Sequence, residues 1–119
     1  MGLMKMTERS VTLLDSRTPA GHEHLSARVT TDGDVLIEGQ DLGSGVVAFW
    51  GSGLSEYEYA HRIASSDVPR LIAALGGKRG ADVLALLAGR FSTAKACAGI
   101  TDFLRDHGIV SEFWNRVGD

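Results

Sequence analysis

The strongest constraint in this sequence is a change of hydrophobic period about halfway along the chain. Up to residue 64, apolar and polar side chains alternate, which is typical of half-buried strands. In the clearest segment, 55–64, one face carries Tyr57, Tyr59, His61 and Ile63, and the other carries Glu56, Glu58, Ala60 and Arg62. Apolar residues then recur at helical spacing, first as Val68, Leu71, Ile72 and Leu75. Strands followed by helices predict an α+β fold, with an antiparallel sheet of about four strands in the N-terminal half packed by three to four helices in the C-terminal half.

Turn and capping residues divide the two halves into elements. Strands are expected at 7–15, 24–31, 35–40 and 55–64, with a turn at 16–22 that contains Pro19 and Gly21. The segment Thr31-Asp32-Gly33-Asp34 is a hairpin signal, because Asp-Gly tolerates the positive φ of a tight turn. Helices are expected at 68–75, 81–91 and 94–107. A short fourth helix at the tail is predicted by the spacing of Val110, Phe113, Trp114 and Val117.

Length and composition narrow the class of protein. A chain of 119 residues, 44% hydrophobic and 23% charged, predicts one globular domain over 1–119, with 1–6 as a candidate disordered leader. No apolar run approaches the roughly 18 residues of a membrane helix, so no membrane association is expected. The single cysteine cannot form an internal disulfide, which suits the reducing cytoplasm. A net charge of −3 argues against a general nucleic-acid binder.

The acidic residues of the strands are the main candidate for a functional surface. The first 64 residues hold five Lys or Arg against nine Asp or Glu. Glu56 and Glu58 project from one strand face, about 7 Å apart, and Glu38 alternates out of the preceding strand in the same way. If those strands pair in register, the three carboxylates and Asp41 form an acidic patch. We therefore predict a non-catalytic, inhibitor-like binding protein whose acidic sheet face docks a basic protein partner through Glu38, Asp41, Trp50, Glu56 and Glu58.

Two other functions remain open at this point. A small metal-assisted enzyme would use strand carboxylates and a histidine, but strict alternation places the histidine on the opposite strand face; the residues concerned are Asp41, Glu56, Glu58 and His61. Nucleic-acid binding would use the second and third helices as a helix-turn-helix. The third helix is poorly suited to that role, because Asp102 and Asp106 offset its basic Lys95 and Arg105.

No motif predicts a cofactor. The glycine-rich loop 41–54 lacks the Lys and the helix start of a phosphate-binding loop. Its glycines are best explained as letting Phe49 and Trp50 cover the core, and contact with a ligand or partner is the alternative. His22 and His24 share one side of an extended segment, but no nearby Cys or third His completes a zinc pattern. Cys97 is expected to be a buried structural thiol.

Four segments carry a resemblance to known proteins: 38–43 (EGQDLG), 56–59 (EYEY), 67–71 (DVPRL) and 112–119 (EFWNRVGD). On these segments the chain resembles a group of short proteins of high-GC Gram-positive bacteria, over nearly its whole length. That resemblance implies no activity, because none is established for the group. The expected form, a small acidic sheet backed by helices, is similar to that of bacterial immunity proteins, which block a partner toxin by binding. This second likeness concerns the architecture only.

Overall fold

The computed structural model of the chain describes residues 9–19, 21–43 and 56–118. They form one antiparallel sheet whose strands lie side by side in chain order: β1 (Arg9–Thr18), β2 (Gly21–Val29), β3 (Val35–Leu42), β4 (Glu56–Ile63) and β5 (Glu112–Gly118). Between β4 and β5 these residues form a 3-10 turn (Ser65–Asp67) and the helices α1 (Val68–Ala74), α2 (Val83–Arg90), α3 (Ala94–Ala98) and α4 (Ile100–Asp106). The predicted α+β class is confirmed, with five strands rather than about four.

The helices cover one face of the sheet. Val35 pairs with Ile63 across β3 and β4, and these two side chains are fully buried together with Leu71 of α1 and Leu87 of α2. Phe91 and Phe103 join the same core. Every described helix with buried side chains therefore packs on this side, as an amphipathic helix on a half-buried sheet must.

The opposite face, called the open face below, is covered by none of the described helices. Cross-strand pairing places on it Asp15 and Arg17 of β1, His22, His24, Ser26 and Arg28 of β2, Leu36, Glu38, Gln40 and Leu42 of β3, Glu56, Glu58, Ala60 and Arg62 of β4, and Glu112, Trp114 and Arg116 of β5. Most of these side chains are polar and partly exposed. Within the described ranges, this is the face of the sheet left open to solvent.

Several local predictions are confirmed. The Asp-Gly segment turns β2 into β3, with Gly33 at φ +86° and the Thr30 hydroxyl accepting from the backbone N–H of Asp34 at 3.2 Å. The expected second helix is present as α2, and the structure adds that Asp82 caps it, since its carboxylate accepts from the N–H groups of Leu84 and Ala85. Leu71 and Ile72, from the predicted helical stripe, are buried in α1.

The tail prediction was wrong, because residues 112–118 form a strand and not a fourth helix. β5 pairs with the outer edge of β4, with Ala60 opposite Trp114 and Glu58 opposite Arg116. An unpaired strand edge offers a row of backbone donors and acceptors, and aromatic and β-branched residues favour a strand over a helix. The helical spacing of four apolar residues in the tail was a weaker signal than the strand preference of these residues and the free edge of β4.

Two predicted boundaries also differ. β1 continues to Thr18, which pairs with Gly21, so the connection is shorter than the expected turn at 16–22. The expected helix 94–107 is two helices, separated at Gly99. None of the helices in the described ranges is long and apolar enough to cross a membrane.

A bulge in β1 sets which residues reach the open face. Thr12 pairs with Ser26 and Leu14 pairs with Leu25, so Leu13 is an extra residue, and its side chain is buried in the core. An inserted residue inverts the alternation of a strand beyond it. Asp15, which strict alternation from Val11 would turn toward the helices, therefore lies on the open face opposite His24.

Candidate functional site

A shallow groove of about 270 Å³ crosses the open face. Two neighbouring rows of cross-strand residues build it: His24, Gln40 and Glu58 form one row, and Ser26, Glu38, Ala60 and Trp114 form the other. The groove is therefore a product of sheet register rather than of loops. Called the open-face groove below, it offers two carboxylates, an amide, a hydroxyl, an imidazole and an indole to one ligand.

Trp114 forms the wall of the groove at the β5 side. This residue is 52% exposed, and its cross-strand neighbour is the small Ala60. An exposed Trp beside carboxylates is a common anchor for a partner, because it buries a large area at low entropic cost. Sequence reasoning missed this residue, and the signal it overlooked was the alternation of Glu112, Trp114 and Arg116.

The open face is not uniformly acidic. Its strand residues carry five carboxylates, Asp15, Glu38, Glu56, Glu58 and Glu112, against four guanidinium groups, Arg17, Arg28, Arg62 and Arg116. Arg28 pairs with Glu38 at 2.7 Å, and Arg116 pairs with Glu56 at 3.2 Å. Among the described residues that line the groove none is Lys or Arg, so this lining is more acidic than the described surface around it.

The acidic neighbour of Glu58 perturbs its titration. A hydrogen bond with the neighbouring Glu56 carboxyl group raises the pKa of Glu58, and burial and the charge of Glu56 act in the same direction. Arg116 and a hydrogen bond from the Gln40 side chain, at 3.5 Å, oppose this shift. Arg116 and Gln40 therefore do not fully offset the combined effect of burial and the Glu56 carboxylate on Glu58. A further cation in the groove would relieve that imbalance.

The predicted binding residues do not all meet. Glu38, Glu56 and Glu58 share the open face, as the alternation indicated. Asp41 does not join them, because β3 runs without interruption to Leu42 and alternation turns Asp41 to the helix side, opposite Glu23 and Tyr57. The expectation of one acidic patch that includes Asp41 was therefore wrong. Trp50 lies outside the described residues.

Asp41 lines a separate cavity of about 170 Å³ between the sheet and α3, next to Glu23, Tyr59 and Cys97. Burial raises the pKa of Asp41, and the charge of Glu23 raises it further. Burial also raises the pKa of Tyr59 to about 12 and raises the pKa of the Cys97 thiol. That thiol donates to the carbonyl of Phe91 at 3.3 Å, so it stays protonated and structural, although it is half-buried rather than fully buried.

The destabilisation caused by the partly buried Asp41 carboxylate opposite Glu23 can be tested with Asp41→Asn. When a carboxyl has a higher pKa in the folded state than in the unfolded state, the folded protein loses stability as the pH rises through the folded pKa. The variant removes a charge that faces Glu23, and like charges directly opposite in a sheet cost roughly 0.2–1 kcal/mol. We expect Asp41→Asn to raise the midpoint of thermal unfolding by about 2–5 °C at pH 7.

The same measurement at pH 3.5 supplies the control for Asp41→Asn. That pH lies below the ordinary Asp pKa of 3.8, and burial raises the pKa of Asp41 above that value, so the gain is expected to shrink. An equal gain at both pH values would show that the effect does not come from the charge.

The groups required by the enzyme interpretation lie on two faces of the sheet. His61 is only 3% exposed on the helix side, where its ring nitrogens lie 3.2 Å from the hydroxyls of Thr101 and Ser111. Asp41 is on the same side, whereas Glu56 and Glu58 are on the other. His61 is therefore a hydrogen-bonded core residue, and the four groups do not converge on one substrate.

The chain was also compared with known proteins. No protein-family model, no curated protein and no solved structure matches it. The function of the open-face groove therefore has to be inferred from its own geometry and charge.

Proposed function

We propose that this chain is a non-catalytic binding protein that docks a basic protein segment in the open-face groove. A single observation carries the proposal: Glu38 and Glu58 line one groove with an exposed Trp114, and the described part of the chain places no Lys or Arg in its lining. A Lys or Arg side chain satisfies both features at once. It pairs with a carboxylate at its charged end and stacks on the indole, a contact worth about 0.5–2 kcal/mol.

The rim of the groove adds selectivity to this proposal. Arg28 and Arg116 already pair with Glu38 and Glu56, so an incoming cation has to compete with or displace a guanidinium group. A single free amine gains little from that exchange. A segment with several basic side chains gains more, because it also covers Trp114 and excludes water from the carboxylates. Inhibition of a basic partner by occupation of its surface follows from this mode of binding.

Location in the cytoplasm belongs to the same proposal. The chain has one cysteine, and Cys97 is a free, half-buried thiol in the structure. A protein built without disulfides is suited to a reducing compartment. Its partner would then be encountered inside the cell.

The proposal is tested by charge reversal in the groove. The partner is captured on the immobilised full chain from extracts of the source organism, identified by mass spectrometry and purified. Its affinity is then measured for the wild type, for Glu38→Lys with Glu58→Lys, and for Trp114→Ala. We expect a basic partner, and at least about a tenfold loss of affinity in each variant, which corresponds to about 1.4 kcal/mol.

A matched control comes from α4. Asp102 and Asp106 are exposed on this helix, at the opposite side of the sheet, and their replacement by Lys changes the net charge by the same amount. This control is expected to bind within about twofold of the wild type, since remote exposed charges contribute little. Equal losses in the groove variant and the control, or unchanged binding in both, would contradict docking in the groove.

A further inference from the structure

A cluster of potential metal ligands lies on the open face beside the turn that joins β1 and β2. Asp15 is directly opposite His24 in the sheet, and His22 is two residues before His24 on the same face. One donor atom from each of Asp15, His22 and His24 lies within 4.8 Å of the others. The Asp15 Oδ1 atom is 2.5 Å from Nε2 of His22, and the two imidazole rings lie edge to face with centroids 6.1 Å apart.

We propose that Asp15, His22 and His24 bind a divalent transition-metal ion, with Zn²⁺ as the best fit. Two imidazole nitrogens and one carboxylate oxygen form a donor set that suits zinc, whereas Mg²⁺ and Ca²⁺ prefer oxygen ligands throughout. Three protein ligands leave the fourth tetrahedral position to a water molecule. The proposal does not depend on a basic partner in the groove.

The geometry requires only small side-chain movements. Donors around a tetrahedral zinc ion are about 3.3 Å apart, as bond lengths of about 2.0–2.1 Å dictate. The donors here are already within 4.8 Å of one another, and the strands fix their backbones. The Asp15 and His22 side chains are 48% and 27% exposed, so they have room to rotate, and an ion can reach them from solvent.

An ordinary ion pair is the competing explanation for part of this cluster. His22 contacts Asp15, and Arg17 lies 3.9 Å from the same carboxylate oxygen. A surface pair needs only two groups, however, and it does not account for a second imidazole directly opposite the carboxylate. The Arg17 side chain is 77% exposed on a long stem, so it can leave the carboxylate when a metal ion binds.

The third ligand, Asp15, could not be recognised from the sequence pattern, because it reaches the open face only through the bulge at Leu13. Without the extra residue, Asp15 would face the helices, and His22 and His24 would be an isolated pair. His24 also lines the open-face groove at the end away from Trp114. A bound ion would therefore add positive charge at the β2 end of that groove.

The test is a calorimetric titration of the untagged full chain with zinc chloride at pH 7.5. We expect one Zn²⁺ per chain and no comparable binding of Mg²⁺. His22→Ala, His24→Ala and Asp15→Asn should each lower the affinity by at least about tenfold, because even the loss of an outer-shell partner costs 10–100-fold. His107→Ala is the matched control, since this histidine hydrogen-bonds to Phe103 at the end of α4, and it should bind zinc as the wild type does.

A second measurement on the wild type removes any dependence on how the variants fold. In ¹H–¹⁵N spectra of the imidazole groups, zinc should shift the resonances of His22 and His24 and leave those of His61 and His107 in place. Absence of heat, or shifts at all four histidines alike, would overturn the site. Partner capture uses none of these readouts, so the two proposals fail separately.

Discussion

Gly39→Val is expected to destabilise the protein by about 3 kcal/mol, because the new side chain would occupy the space that the Tyr59 ring already fills beside this position in β3. A Cβ atom at Gly39 would lie 2.2 Å from Cζ of Tyr59, its cross-strand partner. The Tyr59 ring covers the glycine on the helix side, where burial also raises the pKa of its hydroxyl to about 12. The ring is therefore held in place and cannot move aside without loss of packing. Chemical denaturation of the wild type and the variant measures the difference in the free energy of unfolding.

A double-mutant cycle assigns this loss to the clash. In a Tyr59→Ala background the obstacle is gone, so Gly39→Val should cost less than about 1 kcal/mol, with the β-branched side chain now filling part of the vacated space. Should Gly39→Val cost the same in both backgrounds, the clash with Tyr59 would not be its cause. Because Gly39 lies under the open-face groove, the cycle also shows how far the groove floor depends on packing on the other side of the sheet.

Hydrophobic period was sufficient to predict the α+β class and the first four strands. Alternation along 55–64 identified β4, and the Asp-Gly segment identified the turn between β2 and β3, so the pairing that brings Glu38 and Glu58 to one face followed. These signals succeed because period two and tight turns act on neighbouring residues. They need no knowledge of distant parts of the chain.

The features that escaped prediction depend on contacts distant in the sequence. The tail became β5 because the edge of β4, more than 50 residues earlier, was free to pair, as the partners Glu56 and Gly118 illustrate. Helical spacing in the tail could not reveal that edge. The face of the sheet on which Asp41 lies depended on whether β3 includes this residue. Because β3 continues to Leu42, alternation places Asp41 on the helix side and not on the open face that was expected.

The bulge at Leu13 had the largest consequence for the candidate sites. A single inserted residue turned Asp15 to the face that holds His22 and His24. Sequence alternation alone counts Leu13 as an ordinary core position, since its side chain is buried in either arrangement. The bulge is visible only in the pairing with β2, and so the ligand cluster was invisible without it.

His61→Ala is expected to destabilise the fold by about 2–3 kcal/mol, since it removes a buried ring and two hydrogen-bonding nitrogens together. The imidazole is 3% exposed, lies between the hydroxyls of Thr101 and Ser111, and packs against Phe113 at a centroid distance of 4.9 Å. It thereby links β4 to α4 and to the segment before β5. His61→Gln, which keeps a polar group in the same position, should lose less than half as much.

Comparing the wild type with His61→Gln at several pH values separates the effect of burying a titratable group from the effect of lost side-chain volume. Burial lowers the pKa of His61 below its ordinary value of 6.5, so the unfolded chain takes up a proton at pH values where the folded chain does not. Wild-type stability from this residue is therefore fully present above about pH 6.5, and it is lost as the pH falls through the folded pKa. His61→Gln has no such proton, and every other titrating group is common to both proteins. The difference in unfolding free energy between the two should narrow from pH 7.5 to pH 5, and a constant difference would mean that His61 carries no desolvation penalty in the core.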